Sequence, residues 1–184
     1  MYIRQLATMA SNSYSLSSTV KLNNGILMPR IHLGVYMSSG RETETMVLHA
    51  LEAGYRGFDS AEWYANEKEA GRGILKYLQN HNRLRREDIW FTTKLHPNVG
   101  YDDTRKKIKQ SIKESGLGYI DLYLVHSPYG GAQKRRDCWR AVEDAVAEGE
   151  VRVGGVSNFG VRHVSLPSFE CCCRRIEVNG DWEV

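Results

Sequence analysis

Apolar and polar positions follow two alternating periods along most of this chain. From Glu42 to Ala53, Met46, Val47, Ala50 and Leu51 recur at helical spacing, and Gly54 stands where a C-terminal cap belongs. Tyr55 to Asp59 then fits a short buried strand. The alternation repeats: Asn66 to Gln79 carries Ala70, Ile74 and Leu78 on one helical face, and Ile89 to Lys94 is strand-like. Asp102 to Ser115 reads as a helix with an acidic N-cap and Gly116 as its stop. Ile120 to Val125 is another strand. Gln133 to Ala147 is a helix with Trp139, Val142 and Val146 turned inward before Gly149, and Val151 to Val156 is a strand again. Ahead of these, Ile31 to Tyr36 would open the strand series, broken by Ser38-Ser39-Gly40. Earlier still, Asn23-Asn24-Gly25 separates two short apolar runs, and its Asn-Gly pair is expected to supply the positive φ angles of a tight primed hairpin turn.

Strands alternating with helices at spacings suited to βαβ crossovers imply an α/β fold with a parallel sheet. Periodicity leaves open whether that sheet is doubly wound or closed into a barrel. A dinucleotide fold would place G-x-G-x-x-G after its first strand, and none stands there; Gly71-Arg72-Gly73 falls inside a helix with the wrong spacing. The regular pattern ends after Phe169. The expected organisation is a disordered tail over 1–18, one partial barrel with an N-terminal hairpin over 19–169, and a divergent segment over 170–184.

Composition narrows this picture. At 184 residues, 41% hydrophobic and 26% charged, the chain suits one globular unit, yet it is short for a barrel of eight strand–helix units, which takes roughly 250 residues. Net charge is only +3, and the basic clusters near Arg83, Arg105 and Lys134 read as solvated helix faces, so no nucleic-acid partner is expected. No apolar run approaches the ~18 residues of a membrane span. The Ser-rich, acid-free start faintly resembles a transit peptide, but a plain tail is the simpler reading. Cys138 and the run Cys171–Cys173 have neither disulfide-framework nor metal-ligand spacing, which favours a reducing, cytoplasmic setting and no metal.

Four proton-handling side chains fall at or just beyond three successive strand ends: Asp59 with Tyr64 five residues on, Lys94, and His126. A barrel assembles its catalytic groups at that end of its strands. A phenol, with a reference pKa of about 10, gives up its proton reluctantly at neutral pH. A buried ammonium beside it favours the phenolate, and a carboxylate holds the ammonium in place. An imidazole opposite could hydrogen-bond an oxygen that gains negative charge. The set suits a reaction in which an oxygen gains negative charge and then a proton, and carbonyl reduction by hydride is such a reaction. Singly, each residue has an ordinary reading as a turn acid, rim charge, strand-end histidine or loop aromatic; their joint placement makes the site. Trp63 and Tyr55 are read as packing residues. Ser157 is not a nucleophile elbow, because Phe159 replaces the second Gly of G-x-S-x-G.

Asp59-Ser-Ala-Glu-Trp-Tyr64-Ala-Asn-Glu67 resembles the signature of the aldo-keto reductases. Phe91-Thr-Thr-Lys94 resembles that family's lysine strand, Asp121 to His126 its histidine strand, and Gly154-Gly-Val-Ser-Asn-Phe159 its fifth strand. The resemblance runs from about Val20 to about Phe169. It implies a (β/α)8 barrel that reduces aldehydes or ketones with NADPH. Tyr64 would be the general acid, Lys94 the cation that eases loss of its proton, Asp59 the anchor of Lys94 at the cofactor's edge, and His126 the group that orients the carbonyl. Ser157 and Asn158 would hold the nicotinamide carboxamide. Val35-Tyr36 stand where the family often has a small residue and a Trp, and Ser127 where many members carry another Trp, so a less aromatic pocket is expected and the substrate stays open. Glu177-Val-Asn179-Gly180 lacks the family's Asn-Gln pair, and strands seven and eight have no counterpart. A truncated or misassembled reading frame would account for both. The alternative reading is therefore a non-catalytic derivative that binds a partner or lacks function, with self-association through open sheet edges.

Overall fold

The protein is described here by a computed structural model over residues 14–164, and the expected divergent segment over 170–184 lies outside them. Of the expected tail, residues 15–18 form a turn in which the Ser18 amide donates to the Ser15 carbonyl at 3.0 Å. Strands β1 (Thr19–Lys21) and β2 (Leu27–Pro29) pair antiparallel in the expected hairpin. Its turn differs from the primed form. Only Gly25 takes a positive φ (85°), and the loop closes by Gly25 N–H to Leu22 carbonyl (2.8 Å) and Leu22 N–H to Ile26 carbonyl (2.9 Å). One left-handed glycine after an ordinary turn bridges the strands with one residue more than the two-residue type.

The second sheet is parallel and ordered β3 (His32–Gly34), β4 (Gly57–Asp59), β5 (Trp90–Leu95), β6 (Ile120–Val125), β7 (Val151–Val156). Helices α1 (Gly40–Glu52), α2 (Glu67–Asn80), α3 (Tyr101–Ser115) and α4 (Gly131–Ala147) form the connections, and a short α5 (Val161–Val164) follows β7. β6 and β7 have the expected limits. β3 is shorter than expected: Val35 still donates to the Asp59 carbonyl (3.0 Å), but Met37 at φ 64° turns the chain away. The predicted acidic N-cap of α3 is also corrected. Gly100 holds that position, its carbonyl accepting from the Thr104 hydroxyl at 2.5 Å, and Asp102 and Asp103 sit in the first turn. There they still face the positive end of the helix dipole.

Helices and strands share one core, with Phe58, Phe91, Leu51, Ile74, Ile108, Ile120 and Tyr123 fully buried. Small residues set the layer spacing. A methyl group on Gly71 in α2 would come within 1.9 Å of the Ser115 carbonyl oxygen of α3, and one on Gly154 in β7 within 2.7 Å of Val142 Cγ1 in α4. Gly71 and Gly73, set aside as a dinucleotide motif, mark where α3 and α1 approach α2. At the N-terminal end of the sheet, fully buried Asp121 accepts from Arg86 (2.7 Å), Arg152 (2.7 Å) and the Phe91 amide (2.9 Å), tying the starts of β5, β6 and β7 together. The hairpin lies over this same end, near Ile89, Trp90 and Arg152. Among the described residues β3 and β7 each pair on one side only, and Leu122, Leu124 and Val153 are only half-buried. No helix among the described residues is long and apolar enough to cross a membrane.

Candidate active site

The parallel strands bring their C-terminal ends to one face, opposite the hairpin. Asp59 ends β4, Lys94 is next to last in β5, and His126 and Ser157 immediately follow β6 and β7. Parallel pairing puts consecutive strand ends side by side, so four distant segments meet there. Lys94 is buried, and its ammonium donates to the Asp59 carboxylate, to the Ser60 carbonyl at 2.9 Å and to the Tyr64 hydroxyl at 3.4 Å. The same nitrogen lies 4.9 Å from the centre of the Tyr64 ring. The His126 ring stands edge-on to Tyr64, with centroids 5.9 Å apart and planes at 78°. All four residues singled out from the sequence are thus gathered around one strand-end face.

Tyr64 reaches this face on a short 3-10 turn, Glu62–Tyr64, whose end is set by Ala65 in the left-handed region at φ 53°. Asn66 holds the turn in place. It is fully buried, accepts from the Ser60 hydroxyl (2.7 Å) and donates to the carbonyls of Val35 (2.8 Å) and Ser38 (3.0 Å). One amide thus fixes the loop after β3 and the strand end that presents a carbonyl to Lys94. Sequence reasoning took Asn66 as a helix start and as part of the family signature, with no role of its own. Its role depends on partners 28 and 31 residues away, which no local spacing reveals.

His126 is held below its usual pKa, first by burial, then by the positive charge of Lys94 and the neighbouring His96, with Asp59 pulling weakly the other way. Its Nδ1 is buried and has no hydrogen-bond partner among the described residues. An imidazole NH without an acceptor costs more than a bare ring nitrogen without a donor, so the neutral ring keeps its proton on Nε2.

Trp63, expected to be a packing residue, is 64% exposed. It stacks on His96 (centroids 4.8 Å, planes 15° apart) and meets His126 edge-on at 6.3 Å. Tyr36, 60% exposed, stands 4.9 Å from the Tyr64 ring. The rim is therefore aromatic, through Tyr36 at the position where many members carry Trp and through Trp63. Asn158 takes a positive φ (62°), which turns its side-chain amide back to the His126 carbonyl (2.8 Å) and the Ser157 hydroxyl (3.1 Å).

The profile of the Aldo/keto reductase family matches residues 31–167. The chain belongs to that family. Among relatives of this aldo/keto reductase chain, an uncharacterised oxidoreductase of Schizosaccharomyces pombe is 46% identical over 169 residues, spanning 89% of this chain and 60% of the relative. Glyoxal reductase of Bacillus subtilis is 40% identical over 152 residues, 82% of this chain and 52% of that protein. A Bombyx mori aldo-keto reductase solved in complex with NADP superposes with a TM-score of 0.74 at 31% identity, over 80% of this chain and 52% of that one. The chain thus spans between half and three-fifths of the length of these proteins. Its five parallel strands correspond to part of a (β/α)8 barrel. With Asn158 Nδ2 donating to the His126 carbonyl and the Ser157 hydroxyl, the Ser157 hydroxyl hydrogen and Asn158 Oδ1 are the donor and acceptor that a nicotinamide carboxamide would meet there.

Proposed function

We propose that this chain reduces an aldehyde or ketone to the alcohol with NADPH, with Tyr64 as the proton donor. The observation that carries the reading is the single ammonium of Lys94, in contact with both the Asp59 carboxylate and the Tyr64 hydroxyl beside the His126 ring. The reduced nicotinamide, when bound, supplies a hydride to the carbonyl carbon. Ser157 and Asn158 would hold its carboxamide, and Asp59, paired with Lys94, would contribute beside it. As the carbonyl π bond opens, the electron pair moves to oxygen and Tyr64 protonates it. Lys94 then faces the negative charge left on the phenol oxygen and stabilises it. His126, neutral at pH 7 because its pKa is depressed, donates from Nε2 to the same carbonyl oxygen and sets the angle of approach. A cytoplasmic setting is part of this proposal, in keeping with the free, buried thiol of Cys138.

One feature favours a second reading, in which the chain binds a partner or a second copy of itself without catalysis. β3 and β7 are open edges among the described residues, and the inward side chains of β6 and β7 are only half-buried. Titration of the purified chain with NADPH, followed by cofactor fluorescence, separates the two. Saturable binding with carbonyl-dependent NADPH oxidation supports the reductase; no binding, with concentration-dependent association instead, supports the second reading. In the reductase reading, Tyr64→Phe abolishes turnover, by about 10²-fold or more, while cofactor affinity stays within twofold. Turnover at the wild-type rate would overturn the assignment of Tyr64.

A further inference from the structure

Tyr64 sits on a single 3-10 turn that does little to fix its own position. The turn closes through Tyr64 N–H to the Ala61 carbonyl (2.9 Å) and Ala65 N–H to the Glu62 carbonyl (3.1 Å), with no side-chain cap. Yet all three of its residues reach the end of β5. Glu62 accepts from the His96 amide through Oε2 at 3.1 Å, Trp63 stacks on the His96 ring at 4.8 Å, and Tyr64 meets the Lys94 ammonium at 3.4 Å. Helix α3 completes the contact. Its Lys107 donates to Glu62 Oε1 and, at 3.2 Å, to the His96 carbonyl. Glu62 and Lys107 therefore hold the backbone on either side of the His96 Cα while pairing with each other. Asn66 fixes the Ser60 and Val35 side of the loop, and this clamp fixes the side that carries Tyr64.

We infer that Lys107 and Glu62 are positioning residues for the reduction: their ion pair, closed on the His96 backbone, keeps the Tyr64 hydroxyl within reach of the Lys94 ammonium. The inference rests on the reductase reading. His96 follows Lys94 by two residues, so tying Glu62 to His96 sets the separation between the turn and the strand end that presents the cation. At 3.4 Å the contact between Lys94 and Tyr64 is at the long end of a hydrogen bond, and a retreat of the turn by about 1 Å would break it. Misplacement of that size can slow a reaction by up to about 10²-fold. The ordinary role for such a pair is to stabilise the surface. Both side chains are more than a quarter exposed, and ion pairs of that exposure contribute little to stability. The two roles differ in where the loss shows: in the rate of the chemical step for positioning, in the unfolding midpoint alone for stabilisation. Lys107 acts only through Glu62 and the turn, so its removal leaves the proton-handling groups themselves in place.

The test uses variants of the full chain that differ in one charge. Lys107→Met keeps the apolar stem and removes the ammonium, whereas Lys107→Arg keeps a cation. With NADPH bound and propanal in excess, Lys107→Met is expected to slow single-turnover NADPH oxidation by about tenfold, while the Kd for NADPH stays within about twofold and the guanidinium midpoint barely moves. Lys107→Arg should recover most of the rate. Glu62→Gln, which keeps an acceptor for the His96 amide but loses the ion pair, should fall between wild type and Lys107→Met. A second readout needs no turnover. In cofactor-free protein labelled with ¹³Cζ-tyrosine, the Tyr64 signal, identified by its loss in Tyr64→Phe, should shift in Lys107→Met and return in Lys107→Arg. The inference falls if Lys107→Met reacts at a rate within about twofold of wild type, or if its Tyr64 signal keeps the wild-type position. A wild-type chain that neither binds NADPH nor reduces the aldehyde overturns the reductase reading and the role in reduction with it, and the ¹³C signal then still reports whether the clamp holds the phenol.

Discussion

Replacing Gly71 by alanine sets two physical effects of opposite sign against each other. Gly71 lies in the second turn of α2, so helix propensity alone predicts a gain of about 1 kcal/mol for Gly71→Ala. The structure predicts a loss. The added methyl would stand 1.9 Å from the carbonyl oxygen of Ser115, 2.6 Å from its carbonyl carbon and 2.7 Å from its Cα. These are backbone atoms at the end of α3, where Gly116 closes the helix at φ 68°, so no side chain can rotate out of the way. An ordinary contact requires α2 and α3 to separate by about 1.5 Å, which loosens packing around buried Ile74 and Ile108. Overpacking of this kind costs about 1–3 kcal/mol, and more when backbone must move. The clash therefore outweighs the propensity, and the net loss is expected to be at least about 1–2 kcal/mol. Guanidinium unfolding, followed by the fluorescence of buried Trp90 and Trp139, measures it. Gly73→Ala is the milder comparison: its methyl would meet Val47 Cγ1 at 3.0 Å and Val47 Cβ and the Glu44 carbonyl oxygen at 3.1 Å, contacts that a shift of a few tenths of an ångström relieves, so its loss should be smaller than that of Gly71→Ala by about 1 kcal/mol or more. An unchanged or raised midpoint for Gly71→Ala at equal slope would show that the two helices are not in contact there.

Asn66→Ala leaves the Ser60 hydroxyl without its acceptor and the Ser38 carbonyl without its donor, whereas the Val35 carbonyl keeps the Ser38 hydroxyl at 2.8 Å. Two orphaned buried groups should cost roughly 2–4 kcal/mol by the same unfolding assay, and a loss below about 1 kcal/mol would show that the amide is dispensable. Glu67, at the start of α2, is buried against the Thr93 hydroxyl (2.6 Å), and burial raises its pKa above the reference value of 4.5. The folded chain therefore holds this proton more tightly than the unfolded chain. The stability Glu67 contributes is complete below pH 4.5 and is lost as pH rises through the raised value. Glu67→Gln removes this dependence, so its stability relative to wild type should improve between pH 4.5 and pH 7, and a difference flat across that interval would refute the assignment.

The alternation of strands and helices was readable because each buried element carries its own period. The runs at Ile120–Val125 and Val151–Val156 are continuous enough to define their own limits. Asp59, Lys94 and His126 were readable for a related reason: polar groups at or just past the ends of apolar runs stand out, and parallel pairing brings those ends together. Residues whose meaning comes from remote partners stayed hidden. Gly71 looks like a flaw in a helix until the end of α3 lies against it. His96 gains its place from Lys107, which reaches its carbonyl from α3, and from Trp63 more than thirty residues earlier. Asp102 invited an N-cap assignment because acids favour helix starts, yet the left-handed backbone of Gly100 took that position.

The buried carboxylate of Asp121, fastened by two guanidinium groups, cinches the sheet at the opposite pole from Tyr64 and Lys94. One anchor of the sheet thus stands well away from the candidate site, apart from the Asn66 amide that fixes the site's own loops. The crown, with its rings at Tyr36, Trp63 and His96, can be rewritten residue by residue for new substrates while the knot at the foot stays untouched. A scaffold partitioned in this way lets selection explore chemistry without wagering the fold on each trial.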